Sequence, residues 1–177
     1  MKKTVGFYGP DIERIKEKFN IYKILFGSQY TTEFINSNLP LPSQIELLQD
    51  LSVIIAMPST FPNELVNKCK NLKLIQVYSA GTDNIDIQYL AEHGIQIANN
   101  FGQNAVTVAE HAIGLMISVS RNFHIQITEA FSGNWQSNIR EKLQNSELFG
   151  KKIGIIGFGK IGQKVAQRLQ GWECELS

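Results

Sequence analysis

Residues 151–162 read Lys151-Lys152-Ile153-Gly154-Ile155-Ile156-Gly157-Phe158-Gly159-Lys160-Ile161-Gly162. An apolar, β-branched run is followed by three glycines with the spacing G-x-G-x-x-G, and a helical pattern continues to Leu169. This order is typical of a turn that binds a dinucleotide. Gly157 would let the chain turn tightly, Gly159 would let a pyrophosphate approach the backbone, and Gly162 would let the helix pack close to the strand. The positive end of the helix would then face the phosphates.

The same glycines could instead serve only the tight packing of a helix on a strand. The strand before them and the helix after them favour the nucleotide-binding interpretation. An acidic residue that holds a ribose hydroxyl is expected about twenty residues further on, and Glu173 and Glu175 come too early for this role. The predicted cofactor is therefore NAD or NADP, without a choice between them. A second strand is predicted at Glu173–Ser177, so this nucleotide-binding domain is expected to be incomplete.

Composition excludes several classes of function. The 177 residues are 43% hydrophobic and 19% charged, with a formal net charge of +1 and no basic run longer than two residues. We therefore expect no nucleic-acid or membrane-surface role. The two cysteines, Cys69 and Cys174, form no CxxC pair, and we find no signal peptide after Met1. A cytoplasmic protein with reduced thiols is expected.

Residues 1–100 alternate between short apolar runs and helical patterns. Strands are predicted at Thr4–Tyr8, Ile21–Phe26, Val53–Met57, Leu74–Tyr78 and Ile95–Ala98. Helices are predicted at Asp11–Phe19, from Thr31, from the capping box Ser43–Glu46, from Pro62 to Cys69, and from Asp86 to His93. This alternation predicts an α/β domain with a flavodoxin-like, five-stranded parallel sheet that is covered on both faces.

A loop of small residues, Ser79-Ala80-Gly81-Thr82, follows the fourth predicted strand. Ligands of parallel sheets lie at the carboxyl ends of the strands, and this loop leaves such an end, as do Met57–Ser59 and Asn99–Asn104. Backbone N–H groups of the loop could hold a carboxylate, or the loop could be an ordinary connection between strand and helix. The residues alone do not decide between these two interpretations.

A mostly apolar segment, Ala105–Phe123, is the longest predicted helix. Glu110 and His111 lie within it and its length is marginal for a membrane span, so we predict a buried helix of a soluble protein. Glu110 and His111 point in different directions and have no third ligand at helical spacing, which favours a structural role over a catalytic or metal-binding one. No metal site is predicted. The amphipathic pattern continues over Ile125–Phe131, and a polar connection is expected from Gly133 to Glu147.

The order and spacing of three segments resemble a known family. They read Leu72-Lys73-Leu74-Ile75-Gln76-Val77-Tyr78-Ser79-Ala80-Gly81-Thr82-Asp83-Asn84-Ile85-Asp86, then Asn104-Ala105-Val106-Thr107-Val108-Ala109-Glu110-His111 after Gly94–Asn99, then Glu147–Gly162. The family is that of the D-isomer-specific 2-hydroxyacid dehydrogenases, and the agreement extends from about Val53 to Leu176. Each segment alone is a weak signal, whereas the three in this order are specific.

The resemblance implies an oxidoreductase that transfers hydride between NAD(P) and a small 2-oxo or D-2-hydroxy acid, in a cleft between two domains. Residues 1–100 would form the substrate domain, and residues 101–177 would hold the interdomain helix and the first βα unit of the NAD-binding domain. The long helix would carry much of a homodimer interface. The residues implied to bind substrate are Tyr78, Ala80, Gly81 and Asn104, and those implied to bind the cofactor are Thr107, Gly157, Phe158, Gly159, Lys160, Ile161 and Gly162.

Members of this family continue for nearly as much chain again. The resemblance implies that the catalytic arginine, glutamate and histidine lie in that part, so no catalytic residue is assigned here, and His111 and Arg121 are not their counterparts. We therefore expect a truncated member that is inactive alone. One alternative is a non-catalytic module that pairs with another chain through the exposed long helix. A further alternative is a flavodoxin-like binding protein without a nucleotide role.

Overall fold

A computed structural model describes residues 3–57, 60–134 and 144–177. The chain divides into two compact units, Met1–Phe101 and Gly102–Ser177. Two residues of the segment Met57–Ser59, Pro58 and Ser59, lie outside the described residues, as does most of the polar connection predicted after Gly133.

The first unit is built on a parallel sheet of five strands in the order β2-β1-β3-β4-β5. This confirms the α/β class and the predicted number of strands. The strands are β1 Lys3–Gly9, β2 Tyr30–Asn36, β3 Val53–Ala56, β4 Leu74–Val77 and β5 Gln96–Ala98. The helices between them are α1 Glu13–Phe26, α2 Leu41–Leu48, α3 Asn63–Val66 and α4 Ile87–Glu92.

Two hydrophobic clusters cover the two faces of this sheet, because successive side chains of a strand point to opposite faces. One cluster joins Ile54 and Ile75 of the central strands to Leu48, Leu65 and Leu90 of α2, α3 and α4. The other joins Phe7, Ile55 and Met57 to Ile15 of α1. The near-continuous apolar runs of β1 and β3 follow from burial on both faces.

The strand predicted at Ile21–Phe26 is wrong, because these residues form the second half of α1. The apolar run also fits a helix, since Phe19, Tyr22 and Phe26 continue the spacing set by Ile15 and pack on the same cluster. Gly27, at φ +52°, then ends the helix.

The second strand lies where a helix was predicted from Thr31. β2 alternates in burial, with Phe34 packed toward α1 and Ile35 fully buried on the opposite face. The capping box predicted at Ser43–Glu46 is also wrong, because α2 already begins at Leu41 after Pro40. By contrast, Asp86 caps α4 as predicted, and its Oδ1 accepts a hydrogen bond of 2.9 Å from the backbone N–H of Tyr89.

The second unit contains α5 Ala105–Ser120, α6 Phe123–Phe131, β6 Lys152–Ile153, α7 Lys160–Leu169 and β7 Glu175–Leu176. β6 and β7 pair in parallel, and the strand predicted at Glu173–Ser177 is therefore present in shortened form. A small cluster of Ala109, Ile113, Val165 and Leu169 joins α5 to α7.

The long helix is not buried all round, in contrast to the prediction. α5 buries Ala105, Ala109 and Ile113, whereas Leu115 and Val119 are 52% and 74% exposed. Asn122, in the left-handed region at φ +52°, separates α5 from α6. Within the described residues, no helix combines the length and the apolar character needed to cross a membrane.

Candidate functional site

The loop that follows β4 is held by two asparagines that follow β5. The side-chain Nδ2 of Asn100 donates to the carbonyl oxygen of Tyr78 at 2.8 Å, and its backbone N–H donates to that of Ser79 at 3.0 Å. The side-chain Nδ2 of Asn99 donates to the carbonyl oxygen of Ala80 at 2.8 Å. Three successive carbonyl groups of the loop are thus directed toward the end of β5.

This arrangement also sets the direction of the loop's N–H groups. In a planar trans peptide, the carbonyl oxygen and the following N–H point in opposite directions. The N–H groups of Ala80 and Gly81 therefore point away from Asn99 and Asn100. Successive N–H groups directed to one side form the kind of concave site that binds an anion.

Gly81 lies beside the exposed carboxylate of Asp83. A Cβ at this position would lie 2.7 Å from the Oδ2 of Asp83, and this side chain would have to turn away to admit it. The Oγ of Ser79 donates to the carbonyl oxygen of Gly81 at 2.5 Å and closes the loop. The ring of Tyr78 is half-buried against the cluster beneath α1.

The glycine turn of the second unit has the geometry that its spacing predicts. Gly157 has φ +91°, a conformation that side chains rarely adopt. A Cβ on Gly162 would overlap the carbonyl oxygen of Gly157, so the first turn of α7 packs directly on the glycine turn. A Cβ on Gly159 would meet no described atom within 4 Å. The turn is therefore tight on the side of Gly162 and open on the side of Gly159.

The first turn of α7 begins at this open side. Gly159 is its N-cap residue, followed by Lys160, Ile161 and Gly162. The first N–H groups of a helix have no carbonyl partner four residues earlier, and the helix dipole is positive at this end. Phe158 is 64% exposed beside them. These residues could hold a phosphate group through backbone N–H donors.

The N-termini of α5 and α7 lie at the same end of the second unit. A Cβ on Gly102 would overlap the side chain of Lys160, which places the residues before α5 beside the start of α7. Glu110 lies eight residues after Gly102, and Arg168 lies eight residues after Lys160. Glu110 accepts a hydrogen bond of 2.9 Å from Nη2 of Arg168. α5 and α7 therefore run side by side in the same direction, and the exposed Asn104 and Thr107 belong to the end of α5 that lies beside the glycine turn.

The structure thus gathers the predicted residues into two sets. Tyr78, Ala80 and Gly81 lie in one loop of the first unit, whereas Asn104, Thr107 and Gly157–Gly162 lie at one end of the second unit. Glu110 is engaged by Arg168, which supports its structural interpretation. Among the described residues, no group of three or more His, Cys, Asp or Glu side chains could hold a metal ion.

The sequence places Asn99 and Asn100 in a loop at the ligand-binding end of the sheet, but it did not predict a role for either side chain. Their sequence signal was present, because two consecutive amide side chains directly after a strand lie at the edge of the sheet where ligands bind. The role as carbonyl-binding groups depends on β5 lying beside β4, which is a property of the topology.

A parallel α/β unit followed by a glycine turn with the spacing G-x-G-x-x-G is an arrangement typical of two-domain proteins that bind a dinucleotide. The sequence profile described as "D-isomer specific 2-hydroxyacid dehydrogenase, catalytic domain" matches residues 11–163. The chain belongs to this family.

Several relatives are similar to this chain. A hydroxypyruvate reductase of Thermotoga maritima is 34% identical over 137 residues, which are 77% of this chain and 44% of the relative. A D-3-phosphoglycerate dehydrogenase of Archaeoglobus fulgidus is 33% identical over 76% of this chain and 26% of its own length. The chain thus matches less than half the length of either curated relative.

Solved structures share the fold. An NAD-dependent formate dehydrogenase of Staphylococcus aureus, in complex with NAD, superposes with a TM-score of 0.76 at 29% identity and covers 99% of this chain and 55% of its own. A D-lactate dehydrogenase of Aquifex aeolicus, complexed with NAD and lactic acid, gives a TM-score of 0.77 at 21% identity, over 97% of this chain and 50% of that one. These superpositions agree with the α/β architecture described above.

Proposed function

We propose that this chain supplies the substrate domain and the first nucleotide-binding unit of an oxidoreductase that transfers hydride between NAD(P) and a 2-oxo or D-2-hydroxy acid. Residues 1–100 would form the substrate domain, and residues 101–177 would form the interdomain helix and the start of the cofactor domain. Family membership supports this assignment. The two free cysteines, Cys69 and Cys174, support a cytoplasmic location.

The loop after β4 is proposed to bind the substrate carboxylate. The N–H groups of Ala80 and Gly81 would donate to the carboxylate oxygens, because Asn99 and Asn100 hold the loop's carbonyl groups on the other side. Tyr78 would line the site. Charge-assisted hydrogen bonds of this kind are about twice as strong as neutral ones. Asn104, at the start of α5, is proposed to contact the substrate as well.

The glycine turn is proposed to hold the pyrophosphate of the dinucleotide. The open space at Gly159 and the backbone N–H groups of Phe158, Lys160 and Ile161 fit such a group, and Gly157 and Gly162 make the turn tight enough to present them. Thr107 would approach the cofactor from α5. When bound, the nicotinamide supplies or accepts the hydride. NAD is the first choice to test, because the similar formate dehydrogenase is described in complex with NAD.

The observation that carries the proposal is the contrast between the crowded Gly162 and the open Gly159. It leads to a direct test with NADH, whose binding to the 177-residue chain is measured by titration calorimetry. Gly159→Ala is expected to weaken binding at least tenfold, because its Cβ occupies the space proposed for the pyrophosphate, while the fold tolerates it at φ −75°. Gly114→Ala, on α5 with no described atom near its Cβ, is the control and should bind like the unmodified chain.

Two outcomes would contradict this role for the turn. One is an unmodified chain that binds neither NADH nor NADPH, and the other is equal binding by Gly159→Ala. In either case, the alternative of a non-catalytic module becomes the better interpretation.

We further propose that two copies associate through α5 and α6. Val119 and Phe131 are 74% and 90% exposed, and Leu115 and Ile127 are each 52% exposed. Large apolar side chains on consecutive helices commonly mark a protein interface. Val119→Glu combined with Ile127→Glu is expected to convert a dimer into a monomer in light-scattering measurements. A monomeric unmodified chain would exclude this interface.

A further inference from the structure

A cavity of about 440 Å³ lies beside the proposed carboxylate loop, within the first unit. It is formed at the carboxyl ends of β1, β3 and β4, where the ligands of parallel sheets bind. Its volume falls in the usual range of sites for small molecules, about 300–1,000 Å³. The residues that line it are Pro10, Ile12, Arg14, Ile15, Lys18, Met57, Tyr78 and Ser79.

The charges of this cavity are of one sign. Arg14 and Lys18 line it and are four residues apart on α1, so they lie on the same side of the helix. Its described lining contains no acidic residue. The nearby Asp11 is instead paired with Lys16, at 2.5 Å. Within the described ranges, neither Arg14 nor Lys18 forms an ion pair with a carboxylate.

Tyr78 connects these cations to the loop. The Nζ of Lys18 lies 5.6 Å from the centroid of the Tyr78 ring, in cation–π geometry. Tyr78 and Ser79 both line the cavity and belong to the segment whose carbonyl groups are held by Asn100. Ile12, Ile15 and Met57 make the rest of the wall apolar. A ligand that fills this space needs an apolar stem and an anionic end.

The geometry points to a second anion subsite, in which Arg14 and Lys18 bind the distal carboxylate or phosphate of a 2-oxo acid whose first carboxylate lies on Ala80 and Gly81. This inference rests on the proposed function, since it extends the same site. It assigns Arg14 and Lys18 as specificity-determining residues. The preferred substrate class is a dianion with a short carbon chain, rather than a 2-oxo acid with an apolar side chain.

The test compares two ligands that differ only at the distal end. 2-Oxoglutarate carries a distal carboxylate, whereas 2-oxopentanoate has the same chain length and ends in a methyl group. Binding to the ¹⁵N-labelled 177-residue chain is followed through the amide signals of Ser79, Ala80 and Gly81. We expect 2-oxoglutarate to bind at least tenfold more tightly. 2-Oxo-4-phosphonobutanoate replaces the distal carboxylate of 2-oxoglutarate by a phosphonate and shows which of the two anionic groups is preferred.

Variants that remove one positive charge show which side chains cause the preference for 2-oxoglutarate over 2-oxopentanoate. Lys18→Gln and Arg14→Gln should each reduce the affinity for 2-oxoglutarate by about tenfold and leave that for 2-oxopentanoate unchanged. Lys23→Gln removes the same charge from α1 outside the cavity lining, and should keep the full preference. A charge effect of the whole helix would instead lower the preference equally in all three variants, and would overturn the subsite.

The subsite and the carboxylate loop can fail separately. If both ligands shift the Ala80 and Gly81 signals with equal affinity, the loop binds carboxylates and the subsite is wrong. If neither ligand shifts these signals, the carboxylate-binding role of the loop is wrong, and the subsite falls with it.

Discussion

The loop after β4 and the glycine turn before α7 are both proposed to bind anions through backbone N–H groups, but they rest on very different amounts of structure. The loop follows a strand with neighbours on both sides, β3 and β5, and its carbonyl groups are held by Asn99 and Asn100. The turn follows β6, which pairs with the two residues of β7, and Ile156 before it is fully exposed. A local motif can therefore be complete in geometry while the sheet that supports it is small.

The largest expected difference lies in core stability. Ile54 of β3 is fully buried in a cluster with fifteen other described residues, whereas Leu169 of α7 is buried in a cluster of four. Ile54→Ala should cost about 3–5 kcal/mol in the first unit, because the well-packed surroundings relax little. Leu169→Ala should cost about 2 kcal/mol in the second unit, where partly buried neighbours relax into the space.

Hydrogen exchange measures both values, using amides of β4 for the first unit and of α7 for the second. Ile24→Ala, at a site that is 79% exposed, is the control and should change either value little. A larger cost for Leu169→Ala than for Ile54→Ala would reverse the comparison.

The next effect tests how tightly the glycine turn is built. Gly162→Ala places a Cβ against the carbonyl oxygen of Gly157, which is backbone and moves only if the turn moves. We expect a loss of about 1–3 kcal/mol in the second unit, as for other overpacked sites. Gly159→Ala, three residues earlier and facing open space, should be within about 0.5 kcal/mol of the unmodified chain. Equal costs for the two variants, measured by exchange at α7, would show that the turn is not closed as described.

The sequence predicted the glycine turn well and the first helices poorly, for a physical reason. The turn depends on residues close in sequence, so that Gly157, Gly159 and Gly162 carry their own geometry. The run Ile21–Phe26 fits a strand or a helix equally, and the spacing of Phe19, Tyr22 and Phe26 decides it only when the cluster beneath α1 is known. Contacts between residues that are distant in sequence were missed because no local pattern contains them.

The two asparagines and the cavity illustrate such contacts. Asn99 and Asn100 act on residues about twenty positions away in the chain, and the pairing depends on the order of strands in the sheet. The cavity joins Arg14 and Lys18 of α1 to Tyr78 at the end of β4. No local sequence pattern predicts that these residues line one cavity, because they come together only when β3 and β4 lie beside β1 in the sheet.

A smaller effect is expected from the asparagines that hold the loop. Asn100→Ala removes the hydrogen bond to the carbonyl oxygen of Tyr78 and should cost about 1 kcal/mol in the first unit. It should also weaken 2-oxoglutarate binding several-fold, because the peptide that joins Tyr78 to Ser79, directly before the N–H groups of Ala80 and Gly81, is no longer held by the side chain. Asn20→Ala, on the exposed side of α1, is the matched control. Loss of stability with unchanged ligand affinity would mean that Asn100 is only structural.

The smallest expected effect is the loss of stability at low pH when Asp86, the N-cap residue of α4, becomes protonated. The backbone N–H of Tyr89, and then the side chain of Asn63, donate to the Asp86 carboxylate and lower its pKa below the usual value. The unfolded chain therefore binds this proton at higher pH than the folded chain does. The stabilisation by Asp86 is fully present above its unfolded pKa, near 3.8, and is lost as the pH falls through the folded value.

Asp86→Asn keeps a good N-cap acceptor but does not titrate in this range. In the pH range 6 to 2, we expect the stability of the first unit to fall slightly less steeply in Asp86→Asn than in the unmodified chain, as measured by hydrogen exchange at α4. Asp50→Asn, at an exposed aspartate in the turn after α2, is the control for the loss of one carboxylate from the first unit. Asp86 does not belong to the second unit, so the stability of that unit should depend on pH in the same way in Asp86→Asn and in the unmodified chain. Identical slopes in the first unit would show that the cap does not respond to its own protonation.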